Sequence, residues 1–118
     1  RDTGTFRDAD EAASVLASLL QPGDAVIAGV PTNGPLDYYL HRRGVGRGHL
    51  EIPAAAARRA FIVVDAGEGQ TLQRLTLHSE VGNSAQFGSP AVAATLPASR
   101  IYLFERRDSA KSRSGQTR

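Results

Sequence analysis

Ala9, Ala12, Ala13, Leu16, Leu19 and Leu20 recur at spacings of three and four, the mark of a helix with one apolar stripe. Asp8 followed by Glu11 predicts a capping box at its start, and Pro22-Gly23 stops it. Ala25-Val-Ile-Ala-Gly29 is apolar on both parities, as in a strand covered on both faces, and is expected at the centre of a sheet. Thr32-Asn33-Gly34-Pro35 then reads as a loop. Thr32 or Asn33 caps a helix that has Pro35 in its first turn, Leu36, Tyr39 and Leu40 on its apolar side, and Gly44 at its end. Beyond it come a weak edge strand at 50–52, a short Ala-rich helix from Pro53 to Arg59, and a second strand, Phe61-Ile-Val-Val-Asp65. After the loop Ala66-Gly67-Glu68-Gly69, a helix over 70–80 turns Leu72, Leu75 and Leu77 inward. A Gly/Asn/Ser-rich stretch over 81–90 precedes two β-like runs, 91–96 and 100–105, joined by Pro97-Ala98-Ser99 as an antiparallel pair. Helices alternating with strands and closed by a hairpin predict an α/β fold. The expected form is a three-layer α/β/α sandwich with a small Rossmann-like, mostly parallel sheet and a C-terminal antiparallel hairpin.

Composition sets the limits of this picture. With 118 residues, 41% of them hydrophobic and 22% charged, the chain can bury one core, read as a single α/β domain over 1–105. The absence of cysteine excludes disulfides, thiolate catalysis and Cys-ligated metal. No apolar run approaches the roughly 18 to 20 residues of a membrane span. The chain begins at Arg1 and contains no methionine, as expected of a processed product or a piece of something larger. Five basic residues and one acid from Arg106 onward make 106–118 a basic polar tail, expected to be disordered; it is open to contact with anionic lipid or another polyanion. Residues 1–105 carry nine basic against eleven acidic residues, so the body is slightly acidic. A basic balance of this origin does not point to nucleic acid, whose phosphates need a cationic folded face or interleaved aromatics.

Candidate chemistry gathers at a few places. Gly67-Glu-Gly69 after a strand ending in Asp65 is the nearest approach to a dinucleotide fingerprint, but Leu72 stands where the third glycine belongs. Plain turn residues are the simpler account. Asp65 ends an apolar strand, where α/β enzymes hold catalytic or metal-binding carboxylates; no second strand-end carboxylate accompanies it, and capping of the next helix is the simpler account. The densest polar group of the body is Tyr38, Tyr39, His41, Arg42 and Arg43, running on to Arg47 and His49. Arginines beside accessible glycine amides suit a phosphate, and the histidines suit an acid. Cations in a last helical turn, complementing its dipole, are the plainer reading. The spacing of His41, His49 and His78 does not suit zinc, and there is no Gly-x-Ser-x-Gly elbow. The tyrosines, Tyr102 included, read as amphipathic core residues. No cofactor is implied, and no complete catalytic set is legible.

Taken together, Phe6-Arg-Asp-Ala-Asp-Glu-Ala-Ala, Leu20-Gln-Pro-Gly-Asp-Ala-Val-Ile, Pro35-Leu-Asp-Tyr-Tyr-Leu-His-Arg-Arg-Gly44, the strand-final Asp65 and Ser99-Arg-Ile-Tyr-Leu-Phe-Glu-Arg106 resemble a known domain. The chain is similar to the soluble C-terminal domain that follows the transmembrane helices in bacterial members of the protein-mannosyltransferase and aminoarabinose-transferase-like family. The resemblance implies an extracytoplasmic, periplasmic domain beside a membrane enzyme that takes a sugar from a polyprenyl phosphate. Its partner would be the transmembrane part of the same parent chain. The family's catalytic acids lie in a loop between early transmembrane helices, so no catalytic residue carries over to this sequence. Tyr38, Tyr39, His41, Arg42 and Arg43 are the expected substrate-binding positions, facing the membrane surface and a donor or acceptor phosphate. Two other classes stay open: a freestanding α/β enzyme or binding domain for a phosphorylated metabolite or nucleotide, and a purely structural module.

Overall fold

Among the described residues the chain forms three α-helices and four strands. In the computed structural model, which describes residues 8–29, 32–45, 47–53, 56–77 and 87–106, they run in the order α1 (Ala9–Leu19), β1 (Ala25–Ala28), α2 (Asn33–Arg42), β2 (Arg59–Asp65), α3 (Leu72–Leu77), β3 (Ala91–Thr95) and β4 (Ser99–Glu105). The expected hairpin is present: β3 and β4 pair antiparallel, with a register shift between Val92 and Ala94. No helix among the described residues is long and apolar enough to cross a membrane.

The four strands form one mixed sheet in the order β1-β2-β4-β3. Only β1 and β2 pair parallel, joined through α2, while β4 pairs antiparallel with β2 along seven residues. The expectation of a mostly parallel sheet is therefore corrected. β1, β2 and β3 all point the same way, but β4 returns from its tight turn and inserts between β2 and β3, so two of the three pairings are antiparallel.

The strand expected at the centre, β1, lies at an edge. Apolar residues on both parities report that both faces of a strand are covered; they say nothing about its hydrogen-bonding edges, which lie in the plane of the sheet. Residues 50–52 are not a strand either: Arg47–Glu51 is a 3-10 turn packed beside β1. Arg59, expected at the end of an Ala-rich helix, opens β2; residues 54 and 55 of that helix lie outside the described residues, as do 78–80 of the helix over 70–80 and 81–86 of the following loop.

The core divides by sheet face. On one side Ala12, Ala13 and Leu16 of α1 and Leu36 and Leu40 of α2 meet Val26, Phe61, Val63 and Ile101. On the other, Ala25, Ile62, Val64, Phe87 and Phe104 are buried, with Ile52 and with Leu72 and Leu75 of α3 against them. Each large side chain so buried contributes roughly 1.5–3 kcal/mol against exposure. Arg106, placed by sequence in the tail, belongs to the body: its N–H donates to the Arg58 carbonyl at 3.0 Å and its guanidinium lies 4.8 Å from the centre of the Phe87 ring. The rest of the tail lies outside the described residues.

Candidate functional site

The C-terminal ends of β1 and β2 lie side by side, and the chain leaves them toward α2 and α3. Open α/β sheets bind ligands at such ends. Asp65 closes β2 almost fully buried, at 3% exposure. Its Oδ1 accepts from the Gly67 N–H at 3.1 Å, which caps the 3-10 turn Ala66–Glu68, and its Oδ2 accepts from the Thr32 hydroxyl at 3.1 Å. Thr32, wholly buried, accepts in turn from Gln70 Nε2 at 3.0 Å. The Gln70 Oε1 takes the N–H of Asp65 at 3.0 Å. These bonds tie the loop after β1 to the loop after β2. Buried polar groups need such partners.

The helix start is built differently from expectation. Thr32 precedes α2 in a helical conformation and makes no side-chain cap, because its hydroxyl is turned to Asp65. Asp8 makes no cap on α1 either. Its Oδ2 accepts from the Ala98 N–H and the Ser99 hydroxyl, both at 2.8 Å, and so fastens the first turn of α1 to the β3–β4 connection.

The five substrate-binding candidates separate into an outward set, Tyr38, Arg42 and His41, and two residues committed elsewhere, Tyr39 and Arg43. Tyr38 and Tyr39 are successive on α2, about 100° apart around the helix, so only one can face the core. Tyr39 packs against the α1–α2 core, whereas Tyr38 is 55% exposed; their rings meet edge-on at 5.1 Å. Arg42, four residues on from Tyr38, places its guanidinium 5.9 Å from the Tyr38 ring centre and donates a long, weak bond to its hydroxyl at 3.4 Å. That bond and the phenol's field raise the Arg42 pKa above the ordinary arginine range, so the cation persists at any physiological pH. Arg43 turns away to Asp10 of α1, with Nη2 2.8 Å from Oδ1. His41 is exposed in the last turn of α2. The outward part of the cluster is thus Tyr38 with Arg42, near His41. Arg42 lies ten residues along α2 from Thr32, about 15 Å by helix rise.

A third polar group was not foreseen. Asp24, buried before β1, receives Arg59 Nη2 at 2.7 Å and Arg59 Nε at 3.2 Å to each carboxylate oxygen, and also accepts the Gln21 N–H at 2.9 Å. Arg59 Nη2 further donates to the Leu19 carbonyl at 3.0 Å, and His49 Nδ1 donates to the Asp24 carbonyl at 2.7 Å. The clasp joins the end of α1, both parallel strands and the 3-10 turn. Its hydrogen bond to Asp24 raises the Arg59 pKa.

A cleft of about 250 Å³ opens beside β1. Val26, Ala28 and Leu50 form its apolar part; Asn33, Gly34 and Asp37 of α2 line one wall, and Glu51 closes the other. Among the described residues no three His, Asp or Glu side chains come together as a metal site.

Comparison with known proteins finds no matching family model, curated protein or solved structure.

Sequence reasoning placed Asp65 at its strand end but missed Thr32 and Gln70 as its partners. The only local signal was a hydroxyl and a carboxamide following two strand ends. Which of them would meet depends on the parallel pairing of β1 with β2. Asp37 and Glu51 were missed for a similar reason: they share a cleft only because residues 47–51 coil back along β1.

Proposed function

We propose that this chain is a non-catalytic extracytoplasmic domain of a polyprenyl-phosphate-sugar-dependent membrane glycosyltransferase, packed on the transmembrane part of the same parent chain. In this reading the domain sits on the periplasmic face of the inner membrane, and its mixed sheet with helices is a small three-layer, Rossmann-like unit. The observation that carries it is the pairing of Tyr38 with Arg42 on the exposed side of α2, an aromatic body and a fixed cation held side by side. Such a pair suits the boundary between a membrane surface and the phosphate of a lipid-linked sugar. The residues behind the family resemblance support a packing module rather than an active site. Asp8 is bonded to Ser99, Asp24 to Arg59 and Asp65 to Thr32, so these three motif carboxylates act as joints of the fold, while Asp37 lines the cleft. A freestanding enzyme acting on a phosphorylated metabolite is less well supported, because Asp65, the strand-end carboxylate such an enzyme would use, is buried and engaged with Thr32 and Gly67.

The test is sugar transfer by the full-length protein carrying Tyr38→Ala together with Arg42→Ala. The expected result is a loss of several-fold in kcat/KM from the polyprenyl-phosphate donor, with the melting temperature of the domain unchanged, and little effect from Arg43→Ala. Undiminished transfer by the double variant would reject the positioning role. Saturable binding of a nucleotide by the 118-residue chain would favour the freestanding enzyme.

A further inference from the structure

We propose that β3 is the seam at which two copies of this chain join, forming one eight-stranded sheet across a two-fold axis. The inference rests on the edges of the sheet and holds whether or not the domain belongs to a glycosyltransferase. A strand at an edge leaves a row of N–H and C=O groups open to another strand. The two edges here are treated differently. Beside β1, Leu50 packs into one core and Ile52 into the other, so the segment of the Arg47–Glu51 turn crosses that edge and covers it. Among the described elements β3 has one neighbour, β4, and none lies along its other side. Proteins commonly guard such an edge with charged side chains, lysine above all. Here residues 87–99 carry no charge, in a chain that is 22% charged. Val92, on this same strand, is 54% exposed.

The occupant these features fit is a second copy. Two identical strands paired antiparallel are self-complementary about a two-fold axis, and an uncharged strand meets no repulsion from its own image. The register shift after Val92 selects the alignment: side chains alternate regularly over 91–93 and not beyond, so the axis falls at Val92. Val92 of one copy then lies against Val92 of the other, on the sheet face shared with Tyr102, and each covers the other's exposed methyl groups. Arg100, which pairs with Thr95 one strand inward, ends about 20 Å from its counterpart, beyond the screening length of about 10 Å. Pro90 and Pro97 bound the strand, and β1 is covered, so each copy offers a single edge and assembly closes at two. A five-residue strand spans only about 17 Å, so the contact is small and the association weak.

The experiment is analytical sedimentation of the 118-residue chain at concentrations from about 10 µM to about 1 mM. The expected result is a monomer–dimer equilibrium with a Kd of about 100 µM and no larger species. Val92→Lys sets two ammonium groups against each other at the axis and should weaken the dimer at least about tenfold, while the melting temperature of the dilute chain stays unchanged because the side chain is exposed there. The chain has no cysteine, so Val92→Cys carries a single thiol placed to meet itself across the axis. Under mild oxidation it should cross-link at least about tenfold faster than Leu19→Cys, whose side chain is also exposed but lies on α1. A chain still monomeric at about 1 mM would overturn the proposal. So would a dimer that survives Val92→Lys, equal cross-linking by Leu19→Cys, or growth into open-ended oligomers.

Discussion

At the scale of the residue, this chain uses its carboxylates as fasteners. Asp8, Asp24 and Asp65 are each buried, and each holds donors from a segment more than thirty positions away. The Asp24 clasp has the most partners. Removing one member of a buried ion pair leaves the other without compensation, which costs more than the pair is worth when intact. Asp24→Ala should therefore destabilise the chain by about 3 kcal/mol, read as a fall in melting temperature of about 10 °C. Asp24→Asn, which keeps an acceptor for Arg59 and Gln21, should lose about half as much. A melting temperature unchanged by Asp24→Ala would show that the clasp adds nothing. The pH response follows from the sign of the Arg59 shift. A raised pKa brings stability that is complete below the ordinary arginine range and is lost only as pH climbs through it, so Arg59 itself should leave stability flat between about pH 6 and 10. The sequence allowed Asp65 to cap its following turn, and it does so through Gly67. For Asp8 the local pattern misled. A carboxylate three residues before Glu11 satisfies the rule for a capping box, but the Ala98 N–H and the Ser99 hydroxyl offer it two donors at the opposite end of the chain. Charge-assisted bonds in a buried place outweigh a cap of about 1 kcal/mol.

At the scale of the element, periodicity worked where the segment was long. The apolar stripe of α1 located its buried face, with Ala9, Ala12, Ala13 and Leu16 all in the core. Gly44 terminates α2 with φ of 82°, and Gly69 ends the 3-10 turn after β2 with φ of 74°, both in the left-handed region. Gly69→Ala is expected to cost about 1 kcal/mol through backbone strain alone, since a Cβ there meets no neighbour. Chemical denaturation measures this directly. A midpoint equal to that of the parent chain would place the strain elsewhere. Short segments were less legible. Residues 50–52 have the composition of a strand, yet Arg47–Glu51 coils, because His49 is drawn to the Asp24 carbonyl and Leu50 is taken into the α1–α2 core. On α2 a five-residue cluster seen in the sequence resolves by helical geometry into an outward pair, Tyr38 and Arg42, and inward or lateral commitments for Tyr39 and Arg43. His41 stays exposed beside the outward pair.

At the scale of the whole molecule, β2 and β4 are the interior of the sheet and β1 and β3 its edges. Each interior strand is seven residues long and bonded on both sides, and β2 is buried along six of its seven positions. Native-state hydrogen exchange should accordingly find the slowest amides in β2 and β4, with the outward amides of β1 and β3 exchanging at least about tenfold faster. Equal protection in β1 and β2 would contradict this strand order. What the sequence by itself determined is the place of the longer elements along the chain, the apolar face of α1, and the antiparallel turn at 97–98. These depend on neighbours within a few positions, where side-chain spacing and the backbone's small set of conformations suffice. Only the tertiary structure decided that β4 lies between β2 and β3, that β1 is an edge, that Thr32 meets Asp65, and that Asp37 and Glu51 share a cleft. Strand order is a matter of hydrogen bonds made in the plane of the sheet between segments far apart in the chain. Hydrophobic pattern records the burial of faces and carries no mark of which edge meets which.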